Sequence, residues 1–152
     1  MVYDSKADTL EHIDKVRDNI DAVILHLIAR GASHDRSKLE APEKDYFDQW
    51  TPKLSGVTYG SDEYRAMLSQ MRPAIDHHQK NNRHHPEFHK DGIDDMNLID
   101  IVEMLCDWVA AAARHNDGDV RKSIEINRDR FEISYQLESI LRNTIDYLDG
   151  NE

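Results

Sequence analysis

The chain has 152 residues, a length expected to form one domain, and its 19 Lys and Arg against 30 Asp and Glu leave a net charge of −11. That charge repels phosphate backbones and anionic bilayer surfaces, which argues against stable binding to nucleic-acid polymers or membranes. No apolar run approaches the roughly 20 residues of a membrane span, and neither the amino-terminal MVYDSKADTLEH nor the lone Cys106 suggests a secretory signal or an internal disulfide, so a cytoplasmic protein is expected.

Hydrophobic periodicity is helical nearly throughout. From about Asp8 to Arg30, Leu10, Ile13, Val16, Ile20, Val23, Ile24, Leu27 and Ile28 recur at three-and-four spacing, with Asp8 and Glu11 as a capping box and Gly31 as the stop. Pro42 suits the first turn of a short helix through Trp50. Thr51 to Gly60 reads as a loop, with Lys53 and Tyr59 either covering a substrate or belonging to a structural Ω-like turn. Ser61 can cap a helix to about Arg72, and Pro73 marks a break or restart. Polar residues and histidines fill 79–95, where Pro86 and Gly92 interrupt regular structure. Further helices are predicted from about Met96 to His115, near Asp119–Arg130 and over Ser134–Leu148, with no convincing strand. Trp50, Trp108 and Cys106 read as packing residues.

Nine histidines stand out, and five of them (His77, His78, His84, His85, His89) fall within thirteen residues. Clustered imidazoles supply nitrogen ligands to first-row transition metals. Of the adjacent His77 and His78, one is expected to face a site. His34-Asp35 offers a nitrogen and an oxygen at a helix end, and Lys38, one turn on, can neutralise an anion. Asp107 lies among apolar neighbours, where a lone carboxylate is costly without a cation or donors.

The order His12, His34-Asp35, His78, His84-His85, Asp107, with the motifs HDRSK, HHQKNNRHHPEF and EMLCDW, resembles the HD-domain metal-dependent phosphohydrolase superfamily. More narrowly it resembles a small bacterial and phage family of HD-like proteins. The resemblance spans about Leu10 to Ala113 and implies a single compact all-α domain of about six to seven helices over 1–152. It also implies one or two divalent ions (Mn, Fe, Co, Ni, Zn or Mg) held by His12, His34, Asp35, His78, His84, His85 and Asp107, with Asp35 able to bridge two. A straight helix would set His12 roughly 33 Å from His34, so sharing an ion requires a break near Asp18–Asp21. His26 is the alternative first ligand.

These residues imply hydrolysis of a small phosphorylated substrate, such as a nucleotide, by metal-activated water. Asp35 would hold the metal; Lys38, Asn82 and Arg83 would meet the phosphate; Glu87 or an unliganded histidine would protonate the leaving group. A di-iron oxygenase on the same ligands, or a non-catalytic protein that binds metal or nucleotide, are the alternatives. The amphipathic terminal helices allow a homodimer.

Overall fold

The computed structural model describes residues 3–54, 56–57, 61–114 and 118–150, and among them all regular structure is helical. Seven α-helices follow in order: α1 (Lys6–Ser33), α2 (Glu43–Leu54), α3 (Asp62–Gln70), α4 (Arg72–Asn81), α5 (Leu98–Ala112), α6 (Val120–Phe131) and α7 (Tyr135–Leu148). Short 3-10 turns occupy Arg36–Leu39, Pro86–Phe88 and Gly92–Asp95. None of the described helices is long and apolar enough to cross a membrane.

Contacts divide the chain into two units, Met1–His34 and Asp35–Glu152. The first is α1, a continuous helix of 28 residues with no buried residue. It starts two residues before Asp8, so the expected capping box does not form; Asp8 sits in the first turn, where its charge favours the helix dipole. Gly31 does not stop it, because a helical glycine costs only about 1 kcal/mol and no proline follows. The helix ends at His34, whose ψ of 131° is extended.

In the second unit α2 packs on α4 and on the Arg36–Leu39 turn, while α5, α6 and α7 pack in sequence. Ile101, Met104 and Leu105 of α5, Ile124 of α6, Ile133, and Leu141 and Ile145 of α7 form its core. The spacing of three and four along each helix turns these side chains to one face. Three helix starts follow the sequence signal closely. Ser61 Oγ accepts from Tyr64 N at 3.1 Å, Asp119 Oδ1 from Arg121 N at 2.8 Å, and Ser134 Oγ from Leu137 N at 3.3 Å.

Three local expectations are corrected. Pro42 precedes α2 rather than opening it, and its bond to Ala41 is cis. Residues 51–54 continue α2 instead of beginning a loop, with Pro52 inside its last turn and Lys53 Nζ 4.1 Å above the Trp50 ring; a proline so near a helix end disturbs little that follows. Tyr59 lies outside the described residues, as does His115, the expected end of the helix from Met96. Cys106 is exposed on α5, not a core residue. Pro73 marks a restart, since it lies in the first turn of α4.

Candidate metal centre

Four side chains of the second unit converge. Asp35, His78, His84 and His85 each offer one ligand atom within 4.8 Å of the others. His78 Nε2 lies 3.1 Å and His84 Nε2 3.5 Å from Asp35 Oδ1. Ligands about 2.1 Å from a common ion stand roughly 3.0–3.4 Å apart in octahedral or tetrahedral geometry, which these two distances approach. The ring centroids of His84 and His85 are 4.2 Å apart, and those of His78 and His85 4.8 Å. His85 Nε2 is buried and has no hydrogen-bond partner among the described residues. A buried ring nitrogen without a protein partner, in a ring packed against two other imidazoles, is a group a metal would satisfy.

Local structure explains the convergence. Asp35 has φ +56°, the left-handed region that aspartate tolerates better than most residues, and this turn starts the Arg36–Leu39 segment. Backbone strain of this kind is common where a side chain must be aimed. His78 lies in the last turn of α4, and its preceding turn at Ala74 is fully buried. His84 and His85 follow α4 directly and are held by the next turn, with His85 N donating to Asn82 O at 3.1 Å and Phe88 N to His85 O at 3.0 Å.

The rings are oriented from behind by carboxylates. Glu43, fully buried at the start of α2, places Oε2 2.9 Å from His78 Nδ1 and Oε1 2.7 Å from His77 Nδ1. Ser37 Oγ donates to Glu43 Oε2 at 2.9 Å, and Asn82 Nδ2 donates to Ser37 Oγ at 2.8 Å. Glu103 Oε1 on α5 lies 3.3 Å from His84 Nδ1. With a metal bound, the Nδ1 proton of His78 would go to a carboxylate and Nε2 would present its lone pair to the ion; without one, Nε2 can donate to Asp35 Oδ1 instead. Carboxylate–histidine pairs of this kind fix the tautomer and ring angle of metal ligands.

Of the adjacent histidines, His78 joins the cluster; His77 is the outer partner of Glu43, with its side chain 40% exposed. Asp107, half-buried on α5, has a carboxylate oxygen within 4.8 Å of one from Asp35. His34 closes the first unit. His12 does not share an ion with it, because α1 runs without the expected break and separates them by about 33 Å. His26 is exposed on the same helix.

Three residues expected to serve the substrate are engaged elsewhere. Arg83 clamps the fully buried Asp100 through Nε at 3.1 Å and Nη2 at 2.8 Å, and stacks 5.2 Å from the Phe88 ring. Its charge offsets a carboxylate that also caps α5 within an Asn97–Asp100 capping box. Asn82 is spent on Ser37 and on the His78 carbonyl. Glu87 binds Arg130 at 2.6 Å and Gln79 at 3.1 Å. Lys38 does stand at the cluster, with Nζ 2.5 Å from Asp35 Oδ2 and over the Phe47 ring.

Electrostatics follow from this crowding. Burial alone would raise the Asp35 carboxyl, but hydrogen bonds from His78 and Lys38, and their charge, outweigh it and hold the group well below the usual carboxylate range. Burial, and then His84 and His78 beside it, pushes the His85 imidazole down to about 3. A ring that stays neutral is a ready ligand. In the metal-free protein an unfolded chain takes up a proton at His85 below its ordinary 6.5 while the folded chain does not. Stability should therefore fall as pH drops from about 6.5 towards 3, with Asp35 adding to the loss only below its ordinary 3.8. Urea unfolding of chelator-treated protein at pH 7 and 5 checks this: a lower midpoint at pH 5 is expected.

An all-helical protein with imidazoles and carboxylates aimed at one point is the class these features define. The chain belongs to the family of unknown function DUF5662, whose model matches residues 1–147. No curated protein and no solved structure matches it.

Proposed function

We propose that Asp35, His78, His84 and His85 bind one divalent metal and that the protein hydrolyses a phosphate ester of a nucleotide or another small phosphorylated molecule, as the resemblance to HD-domain phosphohydrolases implies. The observation that supports the metal is the pairing of two rings with carboxylates behind them while their Nε2 atoms meet Asp35 Oδ1. A divalent ion supplies Lewis acidity there, lowering the pKa of water and polarising a phosphoryl oxygen. Asp107 is available as a further ligand beside Asp35. Lys38 is the residue suited to meet the phosphate, as a point charge with a spare pair of donors beside its bond to Asp35. Arg83, Asn82 and Glu87 keep the centre in shape and take no direct part.

The test is phosphate release from a panel of nucleotides and simple phosphate esters with Mn²⁺, Fe²⁺, Co²⁺, Ni²⁺, Zn²⁺ or Mg²⁺. Lys38→Ala should lower kcat/KM about 10- to 100-fold, the range for one charge-assisted hydrogen bond. Equal activity in wild type and Lys38→Ala would remove Lys38 from the mechanism. A second reading rests on the ligand count. Four protein donors can close a tetrahedral site, the form structural zinc takes. Stoichiometric zinc with a large thermal shift and no turnover on any substrate would favour that reading, and oxygen uptake by an iron-loaded protein without phosphate release would favour an oxygenase.

A further inference from the structure

Helices α3, α4 and α6 of the second unit border an open cavity of about 520 Å³. Arg65 and Leu68 of α3, Arg72, Ile75 and Gln79 of α4, and Arg130 of α6 line it. Its described lining includes three arginines and no acid, in a chain with 30 acids against 19 lysines and arginines. On α3 and α4 the spacing of three and four turns these side chains to one face. His78 lies roughly a quarter turn around α4 from that face, and the cavity shares no residue with the Asp35, His78, His84 and His85 cluster.

Each guanidinium has an acidic partner that does not line the cavity. Arg65 Nη1 lies 3.4 Å from Asp62 Oδ1, Arg72 Nε 2.6 Å from Asp76 Oδ1, and Arg130 Nη2 2.6 Å from Glu87 Oε1. Each of these contacts uses one of the five N–H donors of a guanidinium, so every fork keeps donors for a further anion. The Arg65 and Arg72 side chains are 72% and 71% exposed, and ion pairs so open to water contribute little and yield readily to a better acceptor. Glu87 Oε1 also accepts from Gln79 Nε2 at 3.1 Å, which braces Gln79 and Arg130 side by side. A carboxylate has two oxygens and one charge. A phosphoryl group has three acceptor oxygens and up to two charges, and so satisfies several guanidinium forks at once.

We propose that this cavity binds the phosphoryl group of a small anion, at a site separate from the metal centre. Arg65, Arg72 and Arg130 supply the charge, and Leu68 and Ile75 give apolar contact to whatever carries the phosphate. The site does not depend on the reaction assigned to the metal centre.

Calorimetric titration of the full, metal-loaded chain with inorganic phosphate should show saturable binding that weakens as salt rises. Arg65→Gln and Arg72→Gln should each weaken it about tenfold, and the double variant should abolish it. Lys38→Ala at the metal centre should leave this binding in place, as should Arg17→Gln on exposed α1. Metal content and the helical circular dichroism spectrum should be unchanged in the cavity variants, which separates loss of the site from loss of the fold. Adenosine monophosphate that binds more tightly than phosphate through the same arginines would support a nucleotide as the ligand; equal affinity would support the free ion. A wild type without saturable phosphate binding, binding untouched by the double variant, or binding abolished by Lys38→Ala alone would overturn the proposal.

Discussion

Replacing Asp35 with asparagine should lower metal affinity by more than about a hundredfold, beyond the 10- to 100-fold typical of losing an outer partner. Asp35 is the one carboxylate in the four-residue cluster, and its Oδ1 stands within 3.1 and 3.5 Å of two imidazole nitrogens. Asparagine keeps the size of the side chain and tolerates the left-handed backbone at φ +56°, so the turn into Arg36–Leu39 survives. What is lost is the negative charge that Lys38 and His78 favour and that a divalent ion needs among three neutral rings. Metal content by mass spectrometry and a competition titration measure the loss. An unchanged helical circular dichroism spectrum would show that it does not come from unfolding. If the centre is hydrolytic, phosphate release should fall with metal content.

Glu43 should give the second large effect, although it touches no reacting atom. It is fully buried, and its two oxygens receive His77, His78 and Ser37. Glu43→Gln leaves one acceptor oxygen and sets an amide against the other ring nitrogen. His78 then loses the bond that fixes its tautomer, and metal affinity should drop about 10- to 100-fold with the fold retained. Glu43→Ala removes the acceptor for three groups and should destabilise the protein by about 3 kcal/mol, lowering Tm by roughly 10 °C. A Glu43→Gln variant that binds metal as tightly as wild type would show that Glu43 serves packing alone.

Much of this arrangement could be read from residue order, and the remainder depended on contacts that order does not reveal. Ser61, Asp119 and Ser134 announced their helices because a cap is local chemistry. The density of histidines over 77–89 marked the centre, and Asp35 with Lys38 marked its second wall. Glu43 carried no signal, being one acid among thirty in a segment, APEKDYF, that reads as solvated surface. Glu103 does carry a signal in the sequence. Asp100, Glu103 and Asp107 recur at three and four along the otherwise apolar α5, a stripe of acids that should not face a core without partners. Arg83 and Glu87 have partners that residue order does not reveal. A charge beside a histidine cluster suits a substrate until its counter-charge is known, and here those lie 17 and 43 residues further on, at Asp100 and Arg130. The path of α1 differed because neither Gly31 nor the Asp18–Asp21 stretch breaks a helix strongly enough to bring His12 near His34.

Three imidazoles and one carboxylate of the second unit are expected to hold a divalent ion. X-ray absorption of the purified protein, loaded with one metal and compared with His78→Ala and His85→Ala, tests it directly. About one tightly bound ion per chain is expected, with imidazole nitrogen and carboxylate oxygen near 2.0–2.2 Å, and one nitrogen fewer or loss of the ion in each variant. A protein that takes up no stoichiometric metal, or whose metal environment is the same in both variants, would contradict it.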